Sequence, residues 1–157
     1  MAPQELIDEL HTCFKAFDEI ITRHNIEKIK TIGDAYLAIS GLPKPDPKHA
    51  ENVVNAALEI RNFIANRHKE KGDKTFRVRI GIHTGNVIAG IVGATKFAYD
   101  IWGDTVNTAA RMEESSAEGK INISQTTYNL VKDKFECTYR GDIEAKNKGK
   151  LSMFFVS

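Results

Sequence analysis

The sequence predicts an α+β fold in which helices cover one sheet, and three observations carry that prediction. Apolar residues recur at the helical period near the start of the chain. β-Branched stretches are interleaved with such segments, and Phe76, Val78, Ile80 and Ile82 alternate cleanly as a strand would. At 157 residues the chain is expected to form one domain, 1–157, with a substantial core.

The elements follow in order. Leu6, Ile7, Leu10, Phe14, Phe17, Ile20 and Ile21 keep the helical period, so Gln4 to His24 is a core-facing helix. Ile26 to Ile39 reads as two strands broken at Gly33-Asp34, a two-residue hairpin turn. Three prolines make Gly41 to Pro47 a loop. Val53, Val54, Ala57, Leu58 and Ile64 mark a second helix, and a lysine-rich link through Lys74 ends it. The alternating strand from Phe76 comes next, and Asn86 to Val92 reads as its hairpin partner. Beyond Trp102 the pattern predicts a helix, a short strand Ile121 to Ser124, a helix Gln125 to Val131 and two closing strands.

Composition narrows the classes of function. Hydrophobic content of 41% and charged content of 27% are globular values. A net charge of +1 argues against a dedicated nucleic-acid binder. An RNA-binding sheet would need paired aromatics on adjacent central strands, and these strands lack them. Cys13 and Cys137 have no ligand-like spacing, which fits a reduced, cytoplasmic setting. No apolar run reaches the ~18 residues that span a bilayer.

Two stretches carry chemistry. YDIWGDTVNTAARM, Tyr99 to Met112, runs from an extended segment through Gly103 into a helix. That helix places Asn107 and Arg111 four residues apart on one face. A neutral amide beside a rigid, permanently charged fork of donors suits a polyphosphate substrate. An ordinary helix capped by Asp104 or Thr105, with a solvated polar face, would show the same pair. The second stretch is KIKTIGDAYLAISGLP, Lys28 to Pro43. Asp34, exposed at a hairpin tip, is free to bind a metal, although Gly-Asp is also common turn chemistry. Lys30 is a pure donor and ionised Asp100 a pure acceptor, which together complement the adenine edge and mismatch guanine.

Both stretches resemble the class III nucleotidyl cyclase catalytic domain, the family of adenylyl and guanylyl cyclases. IGIHTGNVIAGIVG, Ile80 to Gly93, and IEAKNKGKLSMFFV, Ile143 to Val156, match it in the same order, so the likeness covers nearly the whole chain. The resemblance implies a ferredoxin-like α/β sandwich and conversion of ATP to cyclic AMP and pyrophosphate. Two divalent ions, Mg2+ or Mn2+, would assist attack of the ribose 3′-hydroxyl on the α-phosphate. Position by position, Asp34 matches a metal-binding aspartate, and Lys30 and Asp100 the pair that reads adenine. Asn107 matches the residue that orients the ribose, Arg111 the one that stabilises the reacting α-phosphate, and Lys146 the one that holds the terminal phosphates. The family's site lies between two domains, so a homodimer would carry two equivalent sites. An upstream sensor domain is implied, and membrane anchoring of a parent protein is compatible with the reading. Alternatives are a guanylyl cyclase, which Asp104 and Thr108 resemble as well, or a cyclase-like module that dimerises without turnover.

One departure stands out. The family's domain opens with a strand bearing the first metal aspartate, then a Gly-Phe-Thr type turn and a short helix. No stretch here corresponds, because Glu5, Asp8 and Glu9 fall within the first helix. The 157 residues are therefore expected to behave as an N-terminally truncated cyclase domain, inactive alone. Two strand edges would lack their central partner, and exposed edges pair readily between chains. The expectation is a strand-exchanged oligomer.

Overall fold

A computed structural model describes residues 2–92, 98–145 and 149–157. The chain folds as two compact units, Met1–Arg79 with Glu118–Lys120, and Ile80–Ala117 with Ile121–Ser157.

The first unit is built on two long helices and a hairpin. Helix α1 spans Pro3–Arg23, with a proline in its first turn, where a missing N–H costs nothing. It ends at Asn25, whose φ of 59° is left-handed. The Asn25 N–H bonds the Thr22 carbonyl and the Ile26 N–H the Ile21 carbonyl, a Schellman closure that delivers Ile26 to the core. Strands β1, Glu27–Ile32, and β2, Ala35–Ile39, form the expected antiparallel hairpin around Gly33-Asp34. Helix α2, His49–Lys71, lies on α1, and a 3-10 turn, Gly72–Lys74, follows it. Cys13, Phe17 and Ile64 form one buried cluster with Phe14, Phe63, Phe76 and Val78 packed on it. Tyr36 meets Phe14 and Phe17 edge to face, with ring centroids 5.3 and 5.8 Å apart.

One charge lies inside this unit. Glu9 is 4% exposed, and both its oxygens accept from Arg67 at 2.5 Å. Thr75 donates to Oε2 at 2.5 Å, and Lys71 Nζ stands 3.3 Å from Oε1. The Arg67 hydrogen bonds above all hold the Glu9 carboxyl down at about 2. Burial and the nearby Glu9 charge push the Cys13 thiol up to about 11, so it packs as a small apolar group.

The second unit centres on a four-stranded sheet in the order β3-β6-β8-β7. Strand β3, Ile80–Ile82, runs parallel to β6, Ile121–Ser124, and β8, Gly149–Val156, runs antiparallel to β6 and to β7, Cys137–Ala145. All four residues of β6 are buried, as a strand covered on both faces requires. Helix α3, Asp104–Glu114, packs on β3 and β6. Helix α4, Gln125–Val131, packs on β8, where Tyr128 stacks on Phe154 at 3.9 Å.

Two strand expectations are corrected. The alternating segment from Phe76 forms strand only at Ile80–Ile82, because Phe76 and Val78 pack into the core of the first unit. Asn86 to Val92 is not its hairpin partner. Strand β4, Ile88–Val92, pairs instead with β5, Ala98–Trp102, as a separate two-stranded hairpin. Ile88 and Ile91 are each 68% exposed there, which is not the burial of a core hairpin.

Candidate active site

The predicted site residues fall into two groups, one in each unit, and Lys146 lies outside the described residues.

In the first unit, Lys30 and Asp34 share the β1–β2 hairpin. Lys28 pairs with Ala38 but Lys30 with Leu37, so Ile29 is an extra residue in the ladder. The bulge changes which way the strand presents its lysines. Lys28 faces α1, where it meets Asp18 at 3.2 Å and lies over the Tyr36 ring. Lys30 stands, half-buried, on the face of Leu37 instead. Plain two-residue alternation would have put both lysines on one face. Asp34 is exposed at the tip, and Gly33 takes a φ of 58° just before it. A positive φ at only the first central residue is the pattern of a type II′ turn, which glycine favours.

In the second unit, Asp100 stands in β5 opposite Gly90, and its Oδ1 accepts the Ile101 N–H at 2.8 Å. Gly103, with a φ of 117°, turns the chain from β5 into α3. It is also the N-cap, and its carbonyl accepts the N–H groups of Val106 and Asn107 at 3.2 and 3.3 Å. The N-cap is thus a glycine without a side-chain cap hydrogen bond, and Asp104 and Thr105 lie inside the helix and not at its cap position. Asp104 still sits in the first turn, where its charge suits the helix dipole. Asn107 and Arg111 are exposed, while Thr108 and Met112 are buried. Among the described residues, neither the Asn107 nor the Arg111 side chain makes a hydrogen bond or ion pair. A helix thus presents an amide and a guanidinium side by side, both uncommitted among the described residues.

What seats this helix was not visible in motif terms. A Cβ on Gly81 would lie 2.0 Å from the Glu113 nitrogen and 2.4 Å from the Met112 carbonyl carbon. One on Gly85 would lie 2.5 Å from Thr105 Oγ1. Gly81 therefore lets α3 approach β3 backbone to backbone, and Gly85, beyond the end of β3, leaves room for the Thr105 side chain. A glycine inside an alternating strand is the sequence signal that could have found Gly81. Gly81→Ala is expected to push α3 off its seat and to lower stability by about 1–3 kcal/mol, as overpacking does. Urea unfolding of the variant against the parent chain measures it. The deeper neighbourhood is polar as well: His83 Nδ1 lies 2.7 Å from Ser124 Oγ, and Thr84 Oγ1 2.8 Å from Thr127 Oγ1.

Divalent ions fit this residue set only in part. Among the described residues no three His, Cys, Asp or Glu side chains are grouped to hold a metal ion. Asp34 offers one carboxylate, so a two-ion centre is not assembled from the described residues alone. No described helix is long and apolar enough to cross a membrane.

Comparison with known proteins places the arrangement. The family model for the adenylate and guanylate cyclase catalytic domain matches residues 1–157. The protein named adenylate cyclase in Mycobacterium bovis is 39% identical over 155 residues, covering 99% of this chain and 35% of that protein. Guanylate cyclase soluble subunit beta-2 of Rattus norvegicus is also 39% identical over 155 residues, covering 98% of this chain and 23% of that protein. The chain thus spans about a third or less of the length of these relatives. A crystal structure of the guanylate cyclase domain of RhGC from Catenaria anguillulae, in complex with GTP, superposes with a TM-score of 0.86 at 36% identity. That match covers all of this chain and 86% of the other. With every residue inside the family model and the α+β architecture matched, the chain belongs to the adenylate and guanylate cyclase catalytic domain family.

Proposed function

We propose that this domain serves an adenylyl cyclase, which turns ATP into cyclic AMP and pyrophosphate. One observation carries the choice of base: a donor at Lys30 together with an acceptor at Asp100. Relatives named for either nucleotide stand at the same 39% identity, so overall likeness does not decide. Adenine shows an acceptor ring nitrogen beside a donor amino group, and this pair complements it. Guanine presents the reverse pattern. Asp104 and Thr108, which resemble guanylyl versions as much, carry less weight, because Thr108 is buried and offers nothing to a base.

In the reaction, the ribose 3′-oxygen bonds to the α-phosphorus as the bond to the pyrophosphate oxygen breaks, and the 3′-proton leaves. The protein's work is positioning and charge stabilisation. Asn107 would hold the ribose, and Arg111 the charge that builds on the α-phosphate oxygens. Lys146 would hold the terminal phosphates. Asp34 would supply one ligand to a divalent ion, with the remaining ligands drawn from outside the described residues.

A homodimer is part of the reading. A lone two-stranded hairpin is marginal in water, yet β4–β5 exposes Ile88, Ile91, Val92 and Trp102. Such a patch suits burial against a second copy.

Base choice is tested in the intact protein by measuring both cyclic products with ATP and GTP at equal concentration. Cyclic AMP is expected to predominate. Lys30→Glu combined with Asp100→Cys should shift the preference towards GTP, because it inverts the hydrogen-bond pattern that faces the base. A predominance of cyclic GMP in the unsubstituted protein overturns the proposal.

A further inference from the structure

We infer that Arg140, on β7, is a positioning residue for Arg111; the inference rests on the cyclase reading above. The Arg111 side chain has no partner among the described residues, so its direction depends on how firmly its own helical turn is held. That turn is the last of α3, where carbonyls run out of intrahelical partners. Two side chains from the sheet take them up. Asn122, fully buried on β6, donates to the Met112 carbonyl at 2.9 Å. Arg140 Nη1 donates to the Ser115 carbonyl at 2.5 Å, and Ser115 in turn gives its N–H to the Arg111 carbonyl at 2.9 Å. A chain of two hydrogen bonds therefore links Arg140 to the backbone of Arg111.

The fold aims Arg140 deliberately at this target. In the β7–β8 ladder Tyr139 faces Phe154 and Gly141 faces Met153, so Arg140 is the unpaired residue of a bulge. Gly141, with a φ of 119°, permits the local twist. The guanidinium lies 4.2 Å from the centroid of the Phe155 ring, which braces it. Its charge at a helix C-terminus also complements the dipole. Loss of this hold frees the last turn to fray and lets Arg111 sample other directions, without removing any group that touches the nucleotide.

The test compares Arg140→Ala, Arg140→Lys and the unsubstituted form, each in the intact protein. Arg140→Ala is expected to lower kcat by about 10- to 100-fold, the scale of a small misplacement, with KM for nucleotide within about threefold. Arg140→Lys keeps a cationic donor and should recover part of that loss. Hydrogen exchange should quicken by about tenfold or more at residues 111–116 in Arg140→Ala and stay unchanged elsewhere. Unchanged exchange at 111–116, or an intact kcat, overturns the inference. So does faster exchange across the whole chain, which marks a merely structural role. If Arg140→Ala does not fold, Arg140→Gln takes its place with the same criteria. Failure of the cyclase reading shows separately, as no cyclic product from the unsubstituted protein, while exchange at 111–116 still decides the anchoring.

Discussion

Arg111→Ala is expected to reduce kcat by about 10²- to 10³-fold while KM changes little, because the lost donor acts mainly on charge that develops in the transition state. The structure makes this a clean substitution. Arg111 is exposed and makes no side-chain hydrogen bond or ion pair among the described residues, so truncation leaves no buried group unpaired. Stability should therefore change by no more than about 0.5 kcal/mol, as for ordinary surface positions. Steady-state kinetics of the intact protein, with thermal unfolding alongside, separates the two effects. Arg111→Lys should recover only part of the activity, since an ammonium cannot reproduce the planar, two-pronged grip of a guanidinium on phosphate oxygens. A variant that keeps full turnover would remove Arg111 from the reaction. Loss of stability in step with activity would assign it to the fold instead.

Glu9→Ala should be the most damaging substitution for the fold of the first unit, at about 3–5 kcal/mol. It removes the acceptor for Arg67, Thr75 and Lys71 and leaves the Arg67 guanidinium only one-fifth exposed without its counter-charge. The same cluster sets an acid limit. Glu9 titrates at about 2 in the fold against an ordinary value of 4.5, so its carboxylate stabilises the native state above about pH 4.5. That contribution drains away as pH falls towards 2, because the unfolded chain takes up the proton first. The shift corresponds to about 3 kcal/mol at neutral pH. Urea unfolding at pH 7 and at pH 3 should show this fall in the parent chain. In Glu9→Gln the Glu9 part of the fall should vanish, and an unaltered acid limb in that variant would refute the account.

Much of this was legible in the linear sequence. Periodicity placed α1 within a residue of Pro3–Arg23, because a long amphipathic helix repeats its signal many times over. Gly33-Asp34 announced its hairpin, and Gln125 to Val131 its helix, since turn chemistry and period are local properties. Asn107 and Arg111 could be set on one exposed face from spacing alone.

Pairing between distant segments was another matter. Nothing in Asn86 to Val92 says that its partner is β5 and not β3, because strand alternation names a face and never a neighbour. Glu9 reads as one more acid on a helix until α2 brings Arg67, 58 positions further on, against it. The bulges at Ile29 and Arg140 are single-residue shifts of register, which exist only once two strands are laid side by side. The residues proposed to meet substrate were thus written in local pattern. What aims them, from the Lys30 face to the hold on the last turn of α3, came from contacts between segments far apart in sequence, where local propensity carries no information.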